Sequence, residues 1–272
     1  MNKLKKHKLI LSRRLNQNEE LKKIASIENK TLQNVLNAFK LAKTNTHKKE
    51  DIIAFNNCET YRDKLLIDAT EITYEIFSLD ETALVQDICR KAASKEKWCR
   101  FLYYMVKNTE NPNILEIGTN LGISGSYMLE AMKGKNGKFI TMEGLPQLCS
   151  ISAAQFSTIV SPSNFEVVQG LYDDTFPKVI EKDITYDLIF IDGNHKKEPT
   201  RDYFNALKSK IKQSAIFVFD DIYWSDGMKE TWEIIKKDSN VNFSMDMYEQ
   251  GIVVIDKNES LPKKHFNLHL SY

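Results

Sequence analysis

The sequence predicts an α/β fold: a doubly wound sheet of seven strands, mostly parallel with an antiparallel last strand, preceded by a helical N-terminal extension. Two observations carry this expectation. From about residue 110 onward, short apolar runs recur at regular intervals, each followed by turn residues and a helical pattern. Near-continuous apolar runs mark strands buried on both faces, and their alternation with helices implies parallel pairing. The last two runs are separated only by Glu249 and Gln250, so they must pair as an antiparallel hairpin.

Taken in order, residues 1–50 contain neither glycine nor proline, and "TLQNVLNAFKLAK" spaces its apolar residues as a helix does. A polar break, "TNTHKKED", follows. Residues 61–107 mix charged, apolar and aromatic residues as amphipathic helices require. The predicted strands are "NILEIG" (113–118), "KFITME" (138–143), "FEVVQG" (165–170), "YDLIFID" (186–192), "AIFVFDD" (215–221), "NFSMDMY" (242–248) and "GIVVIDK" (251–257). The reading divides the chain into a helical part, residues 1–85, serving as a substrate cap or for oligomerisation, and a ligand-binding domain, residues 86–272.

With 272 residues and 42% hydrophobic content the chain can bury a sizeable core. No run of 18 apolar residues exists, so no membrane span is expected. The apolar part of the N-terminus, "LILS", is too short for a secretory signal. Four cysteines without paired spacing (Cys58, Cys89, Cys99, Cys149) read as reduced thiols, hence a cytoplasmic location. The net charge of +1 hides an asymmetry, because residues 1–50 carry 13 Lys and Arg against 4 Asp and Glu. Such an arm could meet an anionic partner. A solvated helical extension packed on its own body accounts for it equally.

In open α/β sheets ligands bind beyond the carboxyl ends of the strands, where the strand order reverses. The first turn there is "EIGTNLGIS", residues 116–124. Gly118 and Gly122 permit a sharp turn and close backbone approach. The spacing is not that of a dinucleotide-binding glycine motif, and no phosphate-binding lysine follows. Glu116 would repel a phosphate and attract an ammonium group. Glu143 ends the next strand, where an acid can hydrogen-bond the hydroxyls of a ribose. Ribose, cationic amino-acid end and no phosphate describe S-adenosylmethionine.

The pieces "LEIGTNLGISG", "ITMEG", "VVQG", "YDLIFIDGNH" and "FVFDDIYW" occur in the order and spacing of one family. Residues 86–272 resemble a class I S-adenosylmethionine-dependent methyltransferase with a Rossmann-like sheet, on the O-methyltransferase branch that includes the catechol and caffeoyl-CoA enzymes. The resemblance implies that Glu116, Gly118, Thr119, Asn120, Gly122 and Ser124 surround the methionine end of the cofactor. It places Met142, Glu143 and Gly144 at the ribose, and Gly170 and Leu171 at the adenine. Asp192 would lie beside the sulfonium and the acceptor. A homodimer is compatible with the family, and no residue read here supports one.

In the catechol-type enzymes an Asp and an Asp-Asn pair hold magnesium. Here Asp192, Asp220 and Asp221 occupy those positions, with Asp in place of Asn. Neighbouring strand ends lie about 5 Å apart, so the three acids could converge on Mg²⁺. Helix capping is the alternative role. His195 stands where the family has a lysine near the acceptor hydroxyl; an imidazole of ordinary pKa about 6.5 suits a proton acceptor, so His195 and Asp192 are the catalytic candidates. Tyr223 and Trp224 are expected to wall the substrate, with Trp98, Tyr103 and Tyr104 as further aromatics that core burial would equally explain.

The leading expectation is methyl transfer from S-adenosylmethionine to a small-molecule hydroxyl, of a phenol, a catechol or a natural-product intermediate. Methylation of RNA or a peptide through the basic arm is the alternative. Nucleic acid is disfavoured, since no base-stacking tetrapeptide follows the fourth strand and the arm lacks interleaved aromatics. A non-catalytic cofactor-binding protein is the third reading.

Overall fold

In the computed structural model, which describes residues 3–44, 46–258 and 260–271, the N-terminal third forms three helices, α1 (Lys3–Ala25), α2 (Lys30–Lys43) and α3 (Lys49–Leu65). Asn29 starts α2 by accepting the Leu32 backbone N–H on its side chain at 2.8 Å, the usual work of an N-cap. Leu32, Val35, Leu36 and Phe39 then fall on one face and are buried. A short antiparallel hairpin follows, β1 (Glu71–Thr73) with β2 (Thr82–Leu84), and then α4 (Val85–Ala92) and α5 (Glu96–Lys107). This hairpin interrupts the stretch 61–107 that the sequence predicts as helical throughout.

All seven predicted strands form: β3 (Ile114–Ile117), β4 (Phe139–Glu143), β5 (Phe165–Gln169), β6 (Tyr186–Ile191), β7 (Ile211–Phe219), β8 (Val241–Asp246) and β9 (Gly251–Asp256). Between them run α6 (Ile123–Met132), α7 (Pro146–Ile159), α8 (Tyr172–Glu181), α9 (Lys197–Leu207) and α10 (Asp226–Lys236). An eighth strand, β10 (Lys264–Asn267), pairs parallel with β8 and corrects the predicted count of seven. It escapes a search for apolar runs because it is an edge strand whose only buried residue is Phe266. The sheet order is β10-β8-β9-β7-β6-β3-β4-β5. The reversed strand of the predicted hairpin, β9, therefore sits inside the sheet between β7 and β8, antiparallel to both.

Strict alternation sorts the strand side chains into two layers. Ile114, Phe139, Leu188, Phe190, Ile216 and Val218 join the core beneath α2, α5, α6 and α7. Leu115, Ile140, Ile189, Ile191, Phe217 and Phe219 join the opposite core beneath α8, α9 and α10. The N-terminal helices belong to the first of these cores, so side-chain contact runs without a break across residues 85 and 86. Polar contacts tie α2 to the sheet as well: Asn29 Nδ2 donates to Asp256 at 2.9 Å, and the Thr31 and Ser214 hydroxyls meet at 2.6 Å.

Strand register positions the site. Ile117 is level with Met142 and Ile191, and Ile191 with Phe219. The next residues, Gly118, Glu143, Asp192 and Asp220, thus emerge side by side at one carboxyl edge. The order of strands reverses between β3 and β6, which is where such sheets bind ligands.

Helix α1 is anchored by a buried ion pair. Arg13 Nη2 lies 2.7 Å from Asp246 Oδ1, with both side chains almost wholly buried. Tyr223 OH and Trp232 Nε1 donate to Asp246 Oδ2 at 2.9 and 3.0 Å. Replacing the cation leaves a buried carboxylate short of its partner. Arg13→Met is expected to destabilise the chain by about 3 kcal/mol, seen as a lower urea midpoint at unchanged slope. An unchanged midpoint would mean that α1 docks without the pair.

Candidate cofactor and acceptor site

The turn after β3 is held from below by its neighbours. Gly118 and Thr119 both donate their backbone N–H to the Met142 carbonyl, at 3.1 and 3.0 Å. Gly118 has φ of 107°, and a Cβ there would stand 2.6 Å from the Asp192 carbonyl oxygen, so only glycine fits. Gly122, with φ of 75°, is the N-cap of α6, and a Cβ on it would strike Ser152 and Phe156. Asn120 is also left-handed, with φ of 50°. Its N–H donates to Glu143 Oε2 at 2.8 Å, while Leu145 N–H donates to Glu143 Oε1 at 3.0 Å. Burial raises the Glu143 carboxyl above its ordinary range, against these backbone donors.

Glu116 is placed behind the turn. It is fully buried on the α6 side of the sheet, where Ser124 Oγ donates to Oε1 at 2.5 Å and Thr141 Oγ1 to Oε2 at 2.7 Å. Thr119 completes the chain through its contact with the Thr141 hydroxyl at 2.5 Å. Burial lifts Glu116 to about 7, opposed by the two hydroxyl donors. Of this group Thr119 and Ser124 reach the cleft beneath the turn, together with Gly118, Asn120 and Asp192. That cleft measures about 10 Å³, room for one water.

Around it open two larger spaces. Glu143 and Asn120 line a cavity of about 380 Å³ whose apolar walls include Tyr74, Phe77, Leu145 and Leu148. Phe77 lies over Gly144, 2.9 Å from where a Cβ would be. The hairpin residues Tyr74 and Phe77 escape sequence reading, although "YEIF" carries the aromatic signal. Met142 is fully buried in the opposite core and lines none of these spaces. Gly170 and Leu171, expected at the adenine, line none of them either. Beside them the Tyr172 ring lies against Gly193, its Cε2 2.8 Å from a Cβ built there.

On the other side, Asp192, His195, Asp220, Asp221, Tyr223 and Trp224 line one cavity of about 540 Å³. The structure thus brings the acidic, histidine and aromatic candidates together. Tyr223 stacks on Tyr248 with ring centres 4.7 Å apart, and Trp224 is largely exposed. Trp98 joins the wall, its Nε1 donating to Glu249 at 2.7 Å, and Lys6 of α1 reaches the same space. Tyr103 and Tyr104 do not; their hydroxyls donate to buried Asp51.

The Asp192 and Asp220 carboxyls act on one another at the neighbouring strand ends. Burial and their mutual repulsion hold Asp192 well above the carboxylate range, and burial also raises Asp220, which accepts from Gln250 Nε2 at 3.0 Å. Asp221 is pushed up to about 6, first by burial and then by Asp220. His195 Nε2 stands 3.8 Å from Asp192 Oδ1. Among the described residues no group of three or more His, Cys, Asp or Glu side chains is disposed to hold a metal ion. The three aspartates are chemically suited to magnesium, but their side chains are not disposed as the expected three-carboxylate site.

The raised carboxyl of Glu116 makes a stability prediction. A native pKa above the unfolded value means that the folded state binds more protons over that window, so stability falls as pH rises from about 4.5 through about 7. Glu116→Gln removes the buried charge while keeping hydrogen-bonding atoms. Its stability relative to the parent should rise by up to about 3 kcal/mol between pH 5 and pH 8. A pH-independent difference in melting would show that Glu116 does not titrate in this window.

Residues 115–222 match a family described as a methyltransferase domain. Catechol O-methyltransferase of Niastella koreensis is 28% identical over 124 residues, covering 45% of this chain and 55% of that protein. The chain thus spans about half the length of the curated relatives it matches. An O-methyltransferase from Bacillus cereus, solved in complex with SAH, has a TM-score of 0.53 at 21% identity, covering 61% of this chain and 84% of that one. PaMTH1 of Podospora anserina, SAH-bound, has a TM-score of 0.57 at 14% identity over 80% of this chain and 92% of its own. At these identities the structures speak for the fold alone. Residues 115–222 are thus similar to a methyltransferase domain, and the relatives they resemble are O-methyltransferases.

Proposed function

We propose that the chain transfers a methyl group from S-adenosylmethionine to a hydroxyl of a small molecule. One observation carries this reading: Asp192 lines both the cleft beneath the glycine turn and the aromatic-walled acceptor cavity. A donor held in the first would present its reactive end to the second. Asn120 likewise joins the cleft to the cavity that Glu143 faces. The chemistry of these residues fits the cofactor in three places: an acid for the ribose, apolar walls for the base and a tight glycine turn for the amino-acid end. The cleft of about 10 Å³ is too narrow for that end, so Ala92–Ser94, which form its other wall, must part from the turn when the cofactor enters.

When bound, S-adenosylmethionine supplies an electrophilic methyl group. The protein's own part is to orient and to move a proton. Tyr223, Trp224 and Trp98 offer flat surfaces against which an acceptor ring is held, and alignment of this kind is a large share of the rate. His195 takes the hydroxyl proton at Nε2. The negative charge shared by Asp192 and Asp220 steadies the imidazolium that results. Magnesium would lower the hydroxyl pKa instead; the paired aspartates do not favour that version, and no step here uses a metal.

A cytoplasmic setting is part of the proposal, supported by four free, buried cysteines. Among the described residues no helix is long and apolar enough to cross a membrane.

Calorimetric titration with S-adenosylhomocysteine tests the cofactor half. Binding should be micromolar and lost in Glu143→Ala; no binding to the parent chain would sink the proposal. With catechol as the probe acceptor, His195→Gln should lower kcat by about 100-fold or more while leaving homocysteine-product affinity in place. Undiminished turnover would remove His195 as the base, and a rate that appears only with added magnesium would restore the metal-assisted version.

A further inference from the structure

A second polar cavity, of about 490 Å³, shares no lining residue with the three described above. Arg14 and Gln17 of α1, Lys43 at the end of α2, Lys97 of α5 and His269 to Ser271 of the C-terminal segment enclose it. Among the described residues its wall holds three cations and a histidine, and no carboxylate. None of Arg14, Lys43 and Lys97 forms an ion pair with a described carboxylate. Lys43 Nζ donates instead to neutral oxygens, Gln17 Oε1 at 3.3 Å and the His269 carbonyl, leaving a third N–H. His269 is 3% exposed, and neither ring nitrogen is hydrogen-bonded to a described residue.

The cations oppose one another. Burial, then Arg14 and Lys97, bring Lys43 down to about 8. Burial, then Arg14, Lys43 and Arg13, bring His269 down to about 4, against a weaker opposing effect of Glu249. Glu249 itself is taken by Lys95 at 2.7 Å, and Asp246 by Arg13, so neither neutralises the cavity. Concentrated positive charge with no internal counter-ion is costly to fold and is relieved by an anion.

We propose that this cavity binds a small molecule bearing a phosphate group. A doubly charged oxyanion matches three converging cations better than a carboxylate does, and the Arg14 guanidinium offers the forked donor geometry that phosphate accepts. A volume of about 490 Å³ leaves room for an organic part beyond the phosphate, in the range usual for small-molecule sites.

The test uses the full chain and inorganic phosphate as probe, followed by calorimetry and by the His269 imidazole resonances in NMR. Phosphate should bind at millimolar concentration or below and raise the His269 titration midpoint from about 4. Arg14→Gln and Lys43→Gln should each weaken binding about tenfold, the scale of one charge-assisted hydrogen bond. Arg14 is exposed, so its variant reports on the site even where Lys43→Gln fails to fold. Absent binding, or binding indifferent to Arg14→Gln, overturns the proposal. Acetate binding as tightly as phosphate overturns the choice of phosphate.

Discussion

The Glu143 carboxylate holds the ligand-binding edge in shape. One oxygen takes the N–H of Asn120, in the turn after β3, and the other takes the N–H of Leu145, in the turn after β4. A left-handed residue other than glycine costs about 1–2 kcal/mol, and Asn120 is such a residue. Its own side chain returns part of that cost by accepting the Leu121 N–H at 2.7 Å. The carboxylate of Glu143 fixes the rest. Each of its oxygens has a second lone pair, so bracing the turn does not exclude accepting hydroxyl donors from a ligand. The residue is built into both loops through backbone hydrogen bonds.

Alternation of side chains along β3 decides what its acid can do. Leu115 and Ile117 face the core beneath α8 to α10, so Glu116 must face the helices on the other side. There it finds Ser124 at the start of α6 and Thr141 on β4, its register partner. Buried carboxyls persist where hydroxyls satisfy them, and this one joins sheet, turn and helix in a single network. Ser124 is its only direct neighbour that also lines the cleft. Glu116 therefore reaches the cleft through that hydroxyl and, through space, by its charge on Asp192.

Most of the fold was legible because its signal is local. Each strand from β3 to β9 is an apolar run bounded by turn residues, and that pattern places all seven. The edge strand β10 was not, since one buried phenylalanine gives no run. The β1/β2 hairpin was hidden because three-residue strands fall below any periodicity. In the site, glycines at 118 and 122 announced a turn, and the acids at strand ends announced the edge. The direction of Glu116 required knowing which sheet face α6 covers. The approach of the Tyr172 ring to Gly193 joins two segments far apart in the chain. The contact of Asp192 with Asp220 depends on the register of two strands. None of these is written in a single segment, so sequence reading reached the residues but not their partnerships.

The basic N-terminal arm takes its meaning from where its charges end. Arg13 enters the body to meet Asp246, and the same carboxylate orients Tyr223 and Trp232. Lys6 stands over the Tyr248 ring, which stacks on Tyr223 in the acceptor wall. Arg14 and Lys43 turn to the cavity beside His269. An arm that served chiefly to track a nucleic-acid backbone would present its cations along one open face. Here at least three are drawn inward to the protein's own groups, and two of those contacts converge on the wall of the acceptor cavity. Helix α1 is thus a structural member of that wall: removing it would strip Asp246 of its cation and Tyr223 of its neighbour together. The cavity lined by Asp192, Tyr223 and Tyr248 is consequently shaped by residues that lie about a hundred positions before β3.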